Sequence, residues 1–446
     1  MIRTYFIFGF LWAFLIFDMN AQVKLNLNEA IDLALKQNIN IAKEDNNLKA
    51  SVKSKVNALA RVLPSINLRG EGFNATGRNF DQTTGVVRTE TGEFVNGAAN
   101  VNWNILNFLE NYSRIRMSNN DRHSREFNLE ATRELTTLNV INSYLQILQS
   151  IKQDSILQKF YDTQETNLDR TQKMIDIGSL PGQDYYTQKA ELSRIKSLQI
   201  ANNNIVENAK RELLLILNLP ANTDLQLEDH SVNSEAFDNE NDDLQSLYNS
   251  ALINRKDLKS LEFDVKSKKN QISVSRSSYY PNIRLFYNYG SNYSSFADPS
   301  FNDQFFDLNI TQTYGLAIQI PIFNGLNSRT EVYRSVVEFK NANLDLEQFK
   351  NNVLVEIANV KGNIKAAEET KIYREEQMKA TKVAYELQKE KYYLGDGTPL
   401  DLTLAQRDYI EATLLLNQIN YQLIYNRFEQ DYFAGNISVA RSRGMM

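Results

Sequence analysis

The side chains that most often carry chemistry in proteins are scarce or scattered in this sequence. There is no cysteine, and the two histidines, His123 and His230, stand far apart. Without cysteine the chain cannot form disulfides, zinc–thiolate sites, a thiol nucleophile or a lipidated N-terminal cysteine. Neither histidine has a neighbour at metal-ligand spacing or a nucleophile beside it. We therefore expect no enzyme activity, no cofactor and no metal site.

Carboxylates are plentiful, but most are spread at charge-pair spacing along segments of helical pattern. Asp184 and Asp401 differ, because each follows a short glycine-containing segment. Thr398 is a good N-cap and Pro399 suits the first helical position, which places Asp401 in the first turn of a helix. A carboxylate there complements the helix dipole.

The overall composition favours long helices with hydrated surfaces. Glycine (17) and proline (7) are few, and the formal net charge is −5. No basic block is present, so nucleic acid is not an expected partner.

The N-terminus has the layout of a secretory signal peptide. Arg3 precedes an apolar run at 5–17, and a polar stretch ends at Ala21. The run is short for a membrane-spanning helix, so we expect cleavage after Ala21, with an uncleaved anchor as the alternative. No later stretch reaches ~18 apolar residues, and the mature chain would therefore enter a membrane as β-strands.

The chain resembles itself, without a gap, at an offset of 217 positions. Matching pairs include Gly178 with Gly395 and Asp184 with Asp401. The offset predicts an internally duplicated protein. Its expected parts are a signal peptide at 1–21, a first repeat at 22–228, an acidic connector at 229–243, a second repeat at 244–436 and a C-terminal tail at 437–446.

Each repeat changes its hydrophobic period in the same order. Apolar residues at helical spacing predict a first helix at 27–60 and a counterpart at 244–278, each ended by a proline. Two-residue alternation then predicts strand pairs at 64–106 and 281–323, each strand having one apolar and one polar face. The expected polar loops within the pairs are 79–92 and 291–309.

Very long helices are predicted after the strands. Segment 111–177 contains neither proline nor glycine, and 327–394 contains only Gly362. Roughly 65 residues at 1.5 Å each give a rod on the order of 100 Å, which no compact domain accommodates. Short turns at 177–184 and 394–401, here called the tips, lead into return helices.

Four strands per chain cannot close a barrel, and an open sheet edge is costly in lipid. Closure needs about eight strands or more, so we expect the chain to oligomerise. Two chains would supply eight strands and three would supply twelve, and spacing alone leaves both open.

This order of segments resembles the TolC family of outer-membrane efflux and secretion channels over essentially the whole mature chain. The segments that carry the resemblance are LNEAIDLALKQN, LPSINL with YPNIRL, VNWNILNF with IQIPIFNG, and the tips IGSLPGQD and LGDGTPLD. It implies an α+β membrane protein: a homotrimer with a twelve-stranded β-barrel in outer-membrane lipid and a periplasmic tunnel of antiparallel coiled-coil helices. It also implies a periplasmic adaptor protein and an inner-membrane transporter of the RND, ABC or a similar class.

The resemblance also implies roles for particular residues. Asp401 and Asp184 would ring the periplasmic aperture and favour cations. The position three residues after Asp401 is Leu404, so a double carboxylate ring is absent. The tip residues would contact the adaptor, although the tip glycines could equally serve only to reverse the chain. The tip residues are Ile177, Gly178, Ser179, Leu394, Gly395 and Asp396.

The resulting expectation is an exit duct of a tripartite efflux or type I secretion system, passively conducting what a pump delivers. The alternative is a periplasmic coiled-coil scaffold or adhesin with a small β head. That alternative leaves the two matched strand pairs unexplained. An enzyme of envelope metabolism lacks a recognisable site.

Overall fold

A computed structural model describes residues 23–80, 85–107, 109–228 and 243–437 of the chain. The predicted signal peptide at 1–21 lies outside the described residues. So do the predicted connector, except Asp243, and the predicted tail, except Ile437. His230 is also outside them.

The described chain is mostly helical, with two short and four longer strands. The elements are, in chain order, β1 (Val23–Leu25), α1 (Leu27–Gln37), α2 (Ile39–Ala60), β2 (Ser65–Phe80), β3 (Val87–Leu106), α3 (Glu110–Asp176), α4 (Gln183–Ile216), β4 (Leu225–Leu227), α5 (Leu244–Asn254), α6 (Lys256–Arg276), β5 (Asn282–Ser294), α7 (Phe301–Asp303), β6 (Thr311–Gln319), α8 (Asn327–Leu394) and α9 (Pro399–Phe433).

The predicted first helix of each repeat is in fact two helices. Asn38 separates α1 from α2 with extended backbone angles (φ −62°, ψ 130°). Its side chain accepts hydrogen bonds from the backbone N–H groups of Asn40 and Ile41, at 2.8 and 3.3 Å. Asn38 thus caps the second helix, and such a cap competes with helix continuation. Arg255 separates α5 from α6 with similar backbone angles (φ −59°, ψ 126°), but its side chain makes no capping bond to α6.

The predicted ends of the two long helices, 111–177 and 327–394, agree with the structure to within one residue. α3 has 67 residues and α8 has 68, so each is on the order of 100 Å long. α3 forms an antiparallel hairpin with α4, and α8 forms one with α9. Gly362 does not interrupt α8.

The four longer strands form one antiparallel sheet in the order β2-β3-β5-β6. Three details of the prediction were wrong. The second loop is shorter than 291–309 and contains helix, since β5 continues to Ser294 and a helical segment lies at Phe301–Leu308. The hairpin loop is shorter than 79–92, since β2 continues to Phe80 and β3 begins at Val87. β6 ends at Gln319 rather than continuing to Ile322. Strand ends depend on where cross-strand pairing begins and stops, which the hydrophobic pattern of a single strand does not show.

The register gives this sheet one apolar and one polar face. Directly paired residues share a face. The row formed by Ile66, Val101, Tyr287 and Tyr314 therefore lies on one side. Next to it on that side lie Leu68, Ala99, Trp103, Leu285, Tyr289, Leu316 and Ile318. The opposite side carries Asn67, Arg69, Asn100, Asn102, Arg284, Asn288 and Thr313.

A second, two-stranded sheet was missed by the sequence reasoning. β1 and β4 pair in parallel, with Leu25 opposite Leu227. They lie beside the main hydrophobic core, in which α1 packs against α3. Tyr144 of α3 donates a hydrogen bond to the carbonyl of Glu228 at 2.9 Å. Three-residue strands are too short to show alternation, so only tertiary pairing reveals them.

A buried guanidinium organises the start of α6. Arg255 is 5% exposed and binds Asp257 and Glu356, each at 2.7 Å. Burial disfavours its charge, but the hydrogen bonds and charges of these two carboxylates outweigh burial and raise the pKa of Arg255. Three aromatic rings lie 5.2 to 5.8 Å from the guanidinium carbon, namely Phe349, Tyr432 and Phe433.

Glu134 of α3 lies close to this cluster. Burial raises its pKa from 4.5 to about 7. Lys256 and Arg255 oppose the shift, whereas Asp257 and Glu130 add to it. Because its folded pKa is raised, Glu134 stabilises the fold most below pH 4.5, and that contribution is lost as the pH rises through 7.

We therefore predict that Glu134→Gln unfolds at a higher temperature than the native chain at pH 8. The variant should also lose less stability between pH 4.5 and pH 7, because over that interval Glu134 keeps its proton in the folded state whereas the unfolded state has lost it. Thermal unfolding followed by circular dichroism across this range checks both statements. Glu212→Gln, on the exposed side of α4, is the control. Identical pH profiles for native chain and Glu134→Gln would contradict the prediction.

Candidate functional site: the hairpin tips

Both tips reverse the chain through a glycine in the left-handed region. Gly178 has φ +74° and Gly395 has φ +83°. After each glycine a backbone N–H returns to the preceding helix: Ser179 donates to the carbonyl of Met174 at 2.8 Å, and Asp396 to that of Lys391 at 2.9 Å. These bonds satisfy carbonyls that would otherwise lack partners at the helix end. The two tips thus end their long helices in the same manner.

The six predicted tip residues are presented to solvent. Ile177 is 79% exposed and Leu394 is 85% exposed, and each directly precedes its glycine. Gly178, Ser179, Gly395 and Asp396 are exposed as well. Burying such an exposed branched apolar side chain fully against a partner would contribute roughly 1.5–3 kcal/mol. The reversal role and a contact role are therefore compatible.

Asp401 lies in the first turn of α9, as the sequence indicated. Its N–H donates to the Thr398 hydroxyl oxygen at 3.1 Å, and that hydroxyl donates to the Asp401 carboxylate at 2.7 Å. Pro399 occupies the start of the helix. Asp401 is exposed, so its carboxylate keeps contact with water while it complements the helix N-terminus.

Asp184 occupies the matching place in the first turn of α4, but no side-chain cap stabilises that turn. Gly182 is the N-cap and offers no side chain to the helix. The N–H of Asp184 donates instead to the carbonyl of Pro181 at 3.1 Å. The carboxylate is half-buried.

The two hairpins are joined just behind the tips by contacts that sequence reasoning missed. The hydroxyls of Thr171 and Tyr392 are 2.6 Å apart. Arg170 donates to the carbonyl of Tyr393 at 2.8 Å, and its guanidinium carbon lies 4.1 Å from the centroid of the Tyr393 ring. Burial raises the pKa of Tyr392. The available signal in the sequence was the adjacent pair Tyr392 and Tyr393 just before a tip glycine. Two neighbouring aromatic rings are unusual on a hydrated coiled-coil surface and indicate a packing contact.

A buried polar layer follows these contacts along the helices. The Gln188 amide donates to the carbonyl of Pro399 at 2.9 Å and to the Thr403 hydroxyl at 3.2 Å. Gln164 donates to the Gln188 carbonyl at 3.0 Å. These bonds link α3, α4 and α9 at one level, so the start of α9 is positioned by the first hairpin.

A buried carboxylate lies one turn further from the tip. Glu191 is fully buried and accepts hydrogen bonds from Arg194, at 2.7 and 3.0 Å, and from Arg407 of α9, at 2.6 Å. A carboxylate held by two guanidinium groups is a strong cross-link, and removing one partner leaves a buried charge poorly compensated.

Behind the exposed tips, these residues join the two hairpins into one cross-linked collar. Among the described residues, no group of three or more acidic or imidazole side chains is placed to hold a metal ion. Within the same residues, no helix is long and apolar enough to cross a bilayer. His123 lies on α3 beside Arg122 and Glu126, at 3.0 and 3.2 Å, in a charged helix surface.

The fold and these tips define the class to which the molecule is similar. Residues 247–427 match the model of the outer membrane efflux protein family. No curated protein sequence matches the chain. The resemblance to the TolC family that the sequence motifs indicated is confirmed.

Solved outer-membrane channels have the same fold over nearly the whole chain. The CmeC outer membrane channel of Campylobacter jejuni superposes with a TM-score of 0.78 at 16% identity, covering 94% of this chain and 89% of that one. CusC gives 0.78 at 16% identity, covering 92% of each chain. The outer membrane protein VceC of Vibrio cholerae gives 0.77 at 14% identity, covering 92% of this chain and 96% of that one. The chain is thus an α+β protein with the fold of these channels.

We predict that Gly395→Ala loosens the second tip. An alanine at φ +83° pays roughly 1–2 kcal/mol in this left-handed conformation, so the tip should open roughly 5- to 30-fold more often. Hydrogen exchange of the Asp396 amide measures that opening. Gly362→Ala is the matched control, because Gly362 is exposed within α8 and nothing approaches an added Cβ. The control should stabilise α8 by roughly 0.5–1 kcal/mol. Equal exchange rates in the two variants would refute this account of the turn.

Proposed function

We propose that this chain is the outer-membrane exit duct of an efflux system, passively conducting what an inner-membrane transporter and a periplasmic adaptor deliver. The observation that carries the proposal is the placement of an amphipathic four-stranded sheet at one end of helical hairpins about 100 Å long. At the other end each hairpin presents an exposed apolar tip residue. A molecule built this way can reach from a bilayer to a distant partner.

The sheet has the dimensions and faces of a barrel segment. β5 has 13 residues and β6 has 9, close to the ~9–11 residues that a tilted strand needs to cross a bilayer, and β2 and β3 are longer, with 16 and 20. Its apolar face carries Tyr314, Leu316 and Ile318, which are 62 to 80% exposed in the single chain. Lipid is the medium that accepts such a face, and the polar face would then line an aqueous lumen.

The open edges argue for three chains. β2 and β6 each leave one side unpaired within the described sheet. Pairing β6 of one chain with β2 of the next would satisfy those backbone groups. Three chains give twelve strands, enough for a lumen, whereas eight strands leave an interior that side chains fill. The homotrimer is therefore the assembly that fits a duct.

We further propose that the chain arose by duplication. α1 and α5, α2 and α6, and α3 and α8 begin 217 residues apart. Leu109 and Leu326, the residues before the long helices, share that offset and have φ values of +65° and +64°. Left-handed leucines are costly, so their recurrence at matching positions supports a common origin.

In this proposal the tips contact the adaptor through Ile177, Gly178 and Ser179 of the first hairpin and Leu394, Gly395 and Asp396 of the second. Asp401, with Asp184, forms the acidic ring of the periplasmic aperture. A single ring of carboxylates at a constriction favours cations. Leu404, which is 48% exposed, supplies no second ring.

Introduced cysteines should count the chains directly, because the native sequence has none. We predict that Asn67→Cys combined with Thr313→Cys or with Ala317→Cys gives a disulfide-linked species of three chains in oxidised envelopes. These positions share the polar face of the two edge strands, and a correct pair brings the Cα atoms within about 4.4–6.8 Å. Denaturing electrophoresis resolves the product.

The control pair is Asn67→Cys with Asn100→Cys, which are cross-strand partners within one chain and should give only monomers. A limit of two linked chains would overturn the trimer. Monomers from every edge pair would count against the barrel itself.

In planar bilayers we predict a conducting oligomer whose cation selectivity falls in Asp401→Asn. The effect of Asp184→Asn should be smaller, because that carboxylate is half-buried. Reversal potentials in a salt gradient measure the change. Glu212→Gln, about 40 Å from Asp184 along α4, is the control and should behave like the native channel. Unchanged selectivity in Asp401→Asn would remove the aperture role while leaving the duct intact.

A further inference from the structure

The connection between β5 and β6 contains an ordered helical segment that the proposed duct does not account for. It consists of α7 and the π-helical turn Gln304–Leu308, and is here called the loop helix, Phe301–Leu308. Ser300 caps it by accepting a hydrogen bond from the N–H of Asp303 at 3.3 Å. The sequence reasoning assigned this stretch to a polar loop at 291–309, which was wrong for its structure.

Gln304 fixes the loop helix to the end of β5. Its side chain is fully buried, accepts a hydrogen bond from the N–H of Ser294 at 3.0 Å and donates to the carbonyl of Pro299 at 2.7 Å. A buried amide bonded on both sides holds a segment in one place. The loop helix is therefore a built feature of the sheet's outer end.

Three contacts place the loop helix on the apolar face of the sheet. A Cβ on Gly97 would lie only 2.6 Å from the tip of the Phe305 ring, so the missing side chain leaves the notch that receives this ring. The Ser291 hydroxyl donates to the carbonyl of Phe305 at 2.6 Å. The rings of Tyr293 and Phe301 lie 5.2 Å apart. Gly97, Ser291 and Tyr293 alternate in step with Val101 and Tyr287 of that face.

The place where the loop helix contacts the sheet also bears on its role. These contacts are to β3 and β5, the two central strands, and not to the edges through which neighbouring chains would pair. They lie at the end of the four-stranded part of the sheet that is farthest from the long helices, beyond which β2 and β3 continue as a hairpin. In the proposed barrel this is the boundary of the outer leaflet.

The loop helix keeps much of its apolar surface exposed after this packing. Phe301 is 40% exposed, Phe306 is 66% exposed and Leu308 is 60% exposed. No lysine or arginine occurs between Arg284 and Arg329, and the segment carries Asp303 and Asp307. Its complement is therefore an apolar layer with an aqueous border, and not an anionic surface bound through charge.

We propose that the loop helix lies in the outer leaflet of the membrane and anchors the rim of each chain's sheet to lipid. Phe306 and Leu308 enter the acyl boundary, and the carboxylates of Asp303 and Asp307 remain on the water side. Aromatic side chains prefer this boundary. The inference rests on the proposed barrel, whose apolar face continues into the loop helix.

The test places one tryptophan at Phe306. The sequence contains only Trp12 and Trp103, so a Trp12→Phe/Trp103→Phe background makes each introduced tryptophan the only one in the chain, and excitation at the long-wavelength edge of its absorption avoids the tyrosines. Phe306→Trp, Tyr314→Trp and Tyr186→Trp are reconstituted as full chains in phosphatidylcholine vesicles with or without brominated acyl chains. Tyr314 is 80% exposed on the apolar face, and Tyr186 is 70% exposed beside a tip. Acrylamide reports exposure to water.

We expect Phe306→Trp to lose emission to brominated lipid as Tyr314→Trp does, most strongly with bromines near the headgroup, and to be shielded from acrylamide relative to Tyr186→Trp. Quenching of Phe306→Trp by acrylamide but not by lipid, with Tyr314→Trp still quenched by lipid, would overturn the anchor and leave the barrel. Quenching by neither agent would assign the loop helix to a protein contact and also overturn the anchor. Lipid quenching of neither Phe306→Trp nor Tyr314→Trp would instead refute the barrel.

Discussion

A sheet that enters lipid must pair every backbone N–H and C=O, because an unpaired group there costs several kcal/mol. In this chain the sheet β2-β3-β5-β6 leaves the outer sides of β2 and β6 without a partner strand among the described residues. The proposed assembly follows from that constraint. The pairing partner must come from other chains, the closed sheet must be large enough for a lumen, and the helices that follow each strand pair must then stand side by side around one axis. Only when the edges are closed do the apolar face, the polar face and the long hairpins form a single channel.

The hairpins use two kinds of interior along their length. Beside β1 and β4, near the middle of α3, the interior is apolar, with Ile141, Ile147 and Leu213 fully buried. Near the tips buried polar side chains join the apolar ones, and Gln164, Gln188 and Glu191 are as deeply buried. Apolar packing is tolerant of register, whereas hydrogen-bonded side chains are satisfied in one alignment only. The polar layer therefore defines how the second hairpin sits against the first, at the end of the molecule where the tips must be presented together.

Much of this organisation could be predicted from periodicity. The long helices, the tip glycines, the strand pairs and the first-turn position of Asp401 all leave local patterns: a 3.6-residue or two-residue repeat, a helix stop, or a cap. The interruption at Asn38 was missed because an asparagine within an apolar repeat is a weak signal. β1 and β4 were missed because three residues define no period. The loop helix was missed because the polar and turn residues around its aromatic residues predicted a loop.

The residues that join the hairpins show the limit more clearly. Arg170 and Tyr393 are 223 positions apart, and no local sequence pattern connects residues at that distance. Their contact exists only because the two hairpins pack together. By itself the sequence determined the long helices and the four longer strands, where the chain reverses at the tips, and which face of each longer strand is apolar, since these follow from the spacing of neighbouring side chains. The tertiary structure alone decided that β3 pairs with β5 and leaves β2 and β6 at the edges, that Gly97 receives Phe305, and that Glu191 is clamped by Arg407. Those depend on residues distant in the chain, whose meeting is governed by the packing of whole elements.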